Sequence, residues 1–164
     1  MPFRWPEPIT PLTLEDIFDA PVQYLHSYRD YSIPSGRGGS QVVKRNITRA
    51  LENISLLATS EKVAPEAIAV VVVTGGSNAN MAIDYSPCLT KARGNSLSFF
   101  KLQTGQFMTV PELFRLQGFH QHEIDKLKFP LSKAKLAGML GMGFTKTVMQ
   151  RSLARASQAA EFVV

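Results

Sequence analysis

Cysteine occurs once in these 164 residues, at Cys88. A single cysteine excludes an internal disulfide framework and argues against a cysteine-based zinc site. It also fits a reducing compartment, so nucleus or cytoplasm is the expected location. Long apolar runs are missing as well. None approaches the ~18 residues of a membrane span, so no membrane partner is expected. The N-terminal stretch with Pro2, Pro6, Glu7 and Pro8 has no apolar signal core, and secretion is not expected. Histidines are few. His26, His120 and His122 show no ligand spacing and no partner cluster, so no metal site is expected. Internal repeats and low-complexity tracts are absent.

Acidic residues are scarce in one region only. Residues 1–60 hold six basic and six acidic side chains, whereas residues 91–155 hold eleven Lys and Arg against Glu112, Glu123 and Asp125, a net +8. Such a face suits a phosphate backbone. Apolar residues make up 45% of the chain, enough for a packed core in one domain or part of a larger one.

The pattern along the chain predicts an α/β fold. Thr13 with Asp16 reads as a capping box for a short helix through Phe18. Residues 35–40, Ser-Gly-Arg-Gly-Gly-Ser, lack the Gly-Lys-Ser/Thr ending of a phosphate cradle and read as a loop. Lys44 to Thr59 has Ile47, Ala50, Leu51, Ile54 and Leu57 on one face, a helix. Ala67 to Thr74 is a buried-type strand, with a turn at residues 75–80 and a second strand over Met81, Ile83 and Tyr85. Lys91, Arg93 and Asn95 fall in a loop. Leu97–Leu102 and Gln106–Met108 form a hairpin about Thr104-Gly105. Helices are predicted over Val110–Gln117, over Gln121–Leu127, from a Ser132 cap to Leu140, and from a Thr145 cap to about Ala160.

The most specific stretch is Thr109-Val-Pro-Glu-Leu-Phe-Arg-Leu-Gln-Gly-Phe119. Locally it is a capped helix: Thr109 and Glu112 form a capping box, Pro111 lies in the first turn, and Gly118 ends it. Leu113, Leu116 and Phe119 make its apolar stripe. The full string Thr-x-x-Glu-x-x-Arg-Leu-Gln-Gly-Phe resembles the ninth characteristic motif of the DNA (cytosine-5) methyltransferases. Ser86-Pro-Cys-Leu-Thr90 upstream resembles the family's Pro-x-Leu-Thr segment. Residues 138–148 downstream resemble its tenth motif, Gly-x-x-Gly-Asn followed by a Val-containing helix. The resemblance covers about residues 66–156. Three positions depart from the family pattern: Met142 replaces the tenth-motif Asn, Gln106 an Arg, and Lys135 a Gln.

The resemblance implies a fragment: a small recognition domain plus C-terminal helices that would pack on a Rossmann-like donor domain. Residues 1–130 would be the target-recognition region with the ninth-motif helix, and residues 131–164 the tenth-motif helices. It implies DNA contact from Thr90, Lys91, Arg93 and Asn95. It assigns Gly141, Met142 and Gly143 to the pocket for S-adenosylmethionine. Thr109, Glu112, Arg115, Gln117 and Gly118 would form the structural motif. No residue of this chain is expected to be catalytic. The family's nucleophile attacks cytosine C6 from a Pro-Cys-Gln loop far upstream of the ninth motif. Cys88 is followed by Leu89, and reads as a small buried hydrophobe. The chain contains no Phe-x-Gly-x-Gly, Pro-Cys-Gln, Glu-Asn-Val or Gln-x-Arg-x-Arg. S-adenosylmethionine is therefore expected only with a catalytic-half subunit, and the chain alone should be inactive. The apolar residues Leu136, Leu140, Phe144, Val148, Met149 and Leu153 would favour that partner or self-association. An alternative reading is a non-enzymatic DNA-binding module, either a basic loop or a helix-turn-helix over Leu136–Leu153. Its turn is one residue too long for the usual register.

Overall fold

The computed structural model describes Glu7, Thr10 and residues 13–19, 41–60, 69–73, 80–102, 104–127, 130–143 and 145–160. The loop at residues 35–40, the turn at 75–79, most of the proline-rich start, His26 and Phe144 lie outside the described residues. The described part is mixed α/β, with a four-stranded antiparallel sheet and seven helices.

The sheet has β1 at Ala69–Val72, β2 at Asn80–Ile83, β3 at Phe99–Lys101 and β4 at Gln106–Phe107. Its order is β2-β1-β3-β4, so β1 and β3 are central. Val71 pairs with Phe100 and with Met81, which sets the register on both sides. Successive side chains on a strand point to opposite faces. Val70, Val72 and Phe99 enter one core with Leu14, Ile17, Met108, Leu113 and Leu140. Ala69, Val71, Val73 and Phe100 enter a second core with Val43, Ile47 and Ala50. Every residue of β1 is buried, and its three valines suit a strand covered on both faces. Phe100 and Phe107 meet edge to face at 5.2 Å across the β3–β4 hairpin.

Helix α1 (Leu14–Ile17) has the expected capping box, with Thr13 accepting from the Asp16 N–H and Asp16 accepting from the Thr13 N–H. Helix α2 (Gln41–Thr59) covers one face of the sheet with Val43, Ile47 and Ala50. Buried Asn46 donates to the Val73 carbonyl at 3.0 Å and pins α2 to the end of β1. The opposite face is covered by α1, α4 (Val110–Leu116) and α6 (Lys133–Leu140). The remaining helices are α3 (Lys91–Asn95), α5 (Gln121–Ile124) and α7 (Lys146–Ala159).

Four local expectations change. Lys91–Asn95 is a helix, with Thr90 as its N-cap. The sequence carries Gly94 and Asn95 there, poor helix formers that suggested a loop. Packing against α6 overrides that preference. Cys88 is exposed, not buried. Leu116 is only partly buried, while Leu113 and Phe114 of the same helix are buried. Thr145 stands at the N-cap of α7 but its side chain makes no cap bond.

Candidate nucleic-acid interface

Helix α4 organises the region at both of its ends. At its start, the Thr109 hydroxyl accepts from the Glu112 N–H at 3.2 Å, and the Thr109 N–H donates to Glu112 Oε2 at 2.7 Å. Glu112 Oε1 also accepts from Lys101 Nζ at 2.7 Å and from the Asp19 N–H at 2.9 Å. The Lys101 and Glu112 side chains are 1% and 0% exposed. Strand alternation forces this pair. Lys101 shares a sheet face with Phe99, beneath α4, and its charge is buried there. The ammonium also sits 5.0 Å from the Phe18 ring centroid, where the ring face favours a cation.

The network continues outward. The Thr109 hydroxyl donates to Asp19 Oδ2 at 2.8 Å, and the Arg115 guanidinium bonds Asp19 Oδ1. Arg115 Nε donates to the Ile17 carbonyl at 2.7 Å. Burial acts to raise the Asp19 pKa, but the hydrogen bonds from Arg115 and Thr109 outweigh it and hold the group below the usual carboxylate range. Thr109, Glu112 and Arg115 thus tie α4 to β3 and to the chain after α1.

At the other end of α4, Gly118 adopts φ 82°. A Cβ there would lie 2.4 Å from Thr147 Oγ1, so glycine serves both the left-handed turn and the close approach to α7. The Gln117 carbonyl accepts from the Lys146 N–H at 2.7 Å. Buried Gln117 donates through Nε2 to the Leu140 carbonyl at 3.3 Å. These bonds join α4, α6 and the start of α7. Lys146 Nζ donates to Glu123 Oε2 at 2.6 Å. That hydrogen bond, with a backbone bond from His120, lowers the Glu123 pKa to about 2.

Helices α3 and α6 cross at contact distance. A Cβ on Gly94 would lie 2.1 Å from the Ala137 carbonyl oxygen, and one on Gly138 would lie 1.8 Å from Asn95 Oδ1. Gly141 backs onto Thr90 and Lys91, with 2.3 Å from a built Cβ to the Thr90 carbonyl carbon. The residues expected to touch DNA and the residues expected near the donor therefore adjoin. Thr90, Lys91 and Asn95 are exposed. Arg93 is half-buried, and its Nη1 donates to the Cys88 carbonyl at 2.8 Å, so part of that guanidinium is committed inward.

The turn after α6 offers little to a donor. The Met142 N–H donates to the Met139 carbonyl, and the Gly143 N–H to the Leu140 carbonyl. Both backbone donors are occupied, and the exposed Met142 thioether lacks an amide's donor and acceptor pair. Beside Leu14, Ile17, Leu116 and Val148 lies a mainly apolar cavity of about 410 Å³, with Asp84, Tyr85 and Arg115 at its margin. No His, Cys, Asp and Glu cluster fit for a metal exists among the described residues. No helix among them is long and apolar enough to cross a membrane.

Sequence reasoning missed Lys101 and Asp19. A lysine in the stretch Leu97–Leu102, where Ser98 is the only other polar residue, was the available signal for the first. For Asp19, about ninety residues from its partners, the sequence carries none.

No protein-family model, curated protein or solved structure matches this chain.

Proposed function

We propose that this chain is the target-recognition and closing region of a DNA (cytosine-5) methyltransferase. It contributes DNA contact to methyl transfer from S-adenosylmethionine to cytosine and does not perform the chemistry itself. The observation that carries this reading is the string Thr109–Phe119, in the company of 86–90 and 138–148. Its support comes from the packing of the three segments into one block. Gly118 lies against Thr147, Gln117 bonds the Leu140 carbonyl, and Gly141 backs onto Thr90.

Covalent attack on a base needs an activated nucleophile and a base-holding acid in one site. Cys88 does not supply that arrangement. It is exposed, and its thiol is 3.9 Å from the neighbouring Leu89 carbonyl. The exposed Met149 and Leu153 are the apolar surface that a catalytic-half subunit, or a second copy, would cover, while Val148 borders the apolar cavity. Leu140 belongs to the core instead, and Leu136 is partly buried.

Incubation with labelled S-adenosylmethionine and cytosine-containing DNA tests the reading. The chain alone should transfer no methyl group. Addition of a polypeptide bearing Pro-Cys-Gln and Glu-Asn-Val should restore transfer. Transfer by the chain alone, abolished in Cys88→Ser, would overturn the assignment, and so would a chain that binds neither DNA nor such a polypeptide. The helix-turn-helix alternative needs a second helix braced by the first. Here α6 packs on α3 and α4, and no residue of α7 is buried.

A further inference from the structure

The basic region of the sequence divides into two sets in the folded chain. Lys101, Arg115 and Lys146 are ion-paired, and Arg93 is turned partly inward. Among the described residues, Lys91, Lys126, Lys133, Lys135, Arg151 and Arg155 have no carboxylate partner. Lys133 and Lys135 share α6, which has no acidic residue but buries Ala137, Gly138 and Leu140 in the core. Arg151 and Arg155 share α7. Helix α7 contains no acidic residue over Lys146–Ala159, and none of its residues is buried.

Arg151 and Arg155 are one turn apart, about 6 Å along the axis, and lie on one side of the helix. With Ala154 and Gln158 they line a shallow recess of about 280 Å³. Arg155 is exposed, and its single contact, to Gln158 Oε1 at 3.3 Å, leaves most of its five N–H donors unused. Arg151 gives one donor to the Glu7 carbonyl and remains half-exposed.

We propose that the Arg151–Arg155 face of α7 grips the phosphate backbone of duplex DNA. This rests on the DNA-recognition reading above and moves its electrostatic centre from the Thr90–Asn95 segment to α7. The chemistry fits a phosphodiester. Planar guanidinium groups bind phosphate oxygens in pairs, Ala154 leaves room between them, and no carboxylate on the helix competes. An anionic membrane fits less well. Interfacial helices bury a broad apolar face, often with aromatic anchors, and α7 has no aromatic residue.

The test is a titration of a fluorescent duplex with the full chain across a salt series. Arg151→Gln with Arg155→Gln should weaken binding about tenfold and flatten the salt slope by about 2, at ~0.9 per phosphate contact. Arg155→Gln alone keeps the Arg151–Glu7 bond and should flatten the slope by about 1. A wild-type chain that binds no duplex removes the DNA-recognition reading, and this proposal with it. A wild-type chain that binds, beside a double variant with unchanged affinity and slope, overturns this proposal alone. Binding to phosphatidylserine–phosphatidylcholine vesicles that is lost in the double variant, with duplex binding unaffected, would overturn it in favour of a membrane surface.

Discussion

Two lysine–glutamate pairs, one at each end of the α4 region, do different work. Lys101–Glu112 is buried at 1% and 0% exposure, with every Glu112 bond made inside the protein. Lys146–Glu123 sits at the surface, 20% and 31% exposed, and links α5 to the start of α7. The contact chemistry is the same and the surroundings differ. A buried pair gains little net stability over an apolar pair, because desolvation offsets the attraction, but losing one partner strands a charge. An exposed pair is screened by water and salt. The first therefore enforces one arrangement of α1, β3 and α4, and the second only biases one.

The largest effect should come from stranding the buried charge. Glu112→Ala leaves Lys101 buried without its carboxylate and removes the acceptor for the Thr109 and Asp19 N–H groups. The expected loss is about 3–5 kcal/mol in denaturant unfolding. Replacing both partners, as Lys101→Met with Glu112→Leu, should recover much of that loss. A single variant as stable as wild type would erase the contrast between the pairs.

Next in size is the glycine crossing of α3 and α6. Gly94→Ala puts a methyl 2.1 Å from a backbone oxygen that cannot rotate away. Overpacking of this kind costs about 1–3 kcal/mol. At Gly143 the nearest atom to a built Cβ is 3.6 Å away, so Gly143→Ala should change stability by less than about 0.5 kcal/mol. Similar melting temperatures for the two variants would show that α3 moves freely on α6.

Local signals were legible in the sequence, and long-range ones were not. The capping boxes of Thr13 and Thr109, the β3–β4 hairpin and the Ser132 cap depend on residues within a few positions of each other. The helix at Lys91–Asn95 depends on Ala137 and Gly138 across the crossing, and its own residues argued for a loop. Charge counting also misled. The net +8 treats Lys101 like Arg155, yet one is under a helix and the other in water. A strand pattern can place Lys101 on a face. It cannot say which face is covered until the order β2-β1-β3-β4 is known.

A contrast of comparable size separates two leucines of α4. Leu113 is fully buried, and Leu113→Ala should cost about 2–5 kcal/mol. Leu116 is partly buried, beside the apolar cavity, so Leu116→Ala should cost less than about 2 kcal/mol. Thermal unfolding of the two variants compares them directly. Equal losses would mean that the cavity side of α4 is packed as tightly as its sheet side.

The smallest effect belongs to the exposed pair, and pH exposes it. The Lys146 hydrogen bond lowers the folded Glu123 pKa to about 2, below its ordinary value of 4.5. A depressed carboxylate favours folding wherever it is ionised in both states, that is, above about 4.5. As the pH falls, the unfolded chain takes up the proton first, and the contribution fades between about 4.5 and about 2. Glu123→Gln should therefore lower the melting temperature slightly at pH 7 and converge on the wild type toward pH 2. Because the pair is at the surface, the pH 7 difference should shrink further in high salt. A difference that is constant across that pH range would mean that the ionised carboxylate contributes nothing beyond its neutral form. The Lys146 bond would then be incidental to how α7 is held.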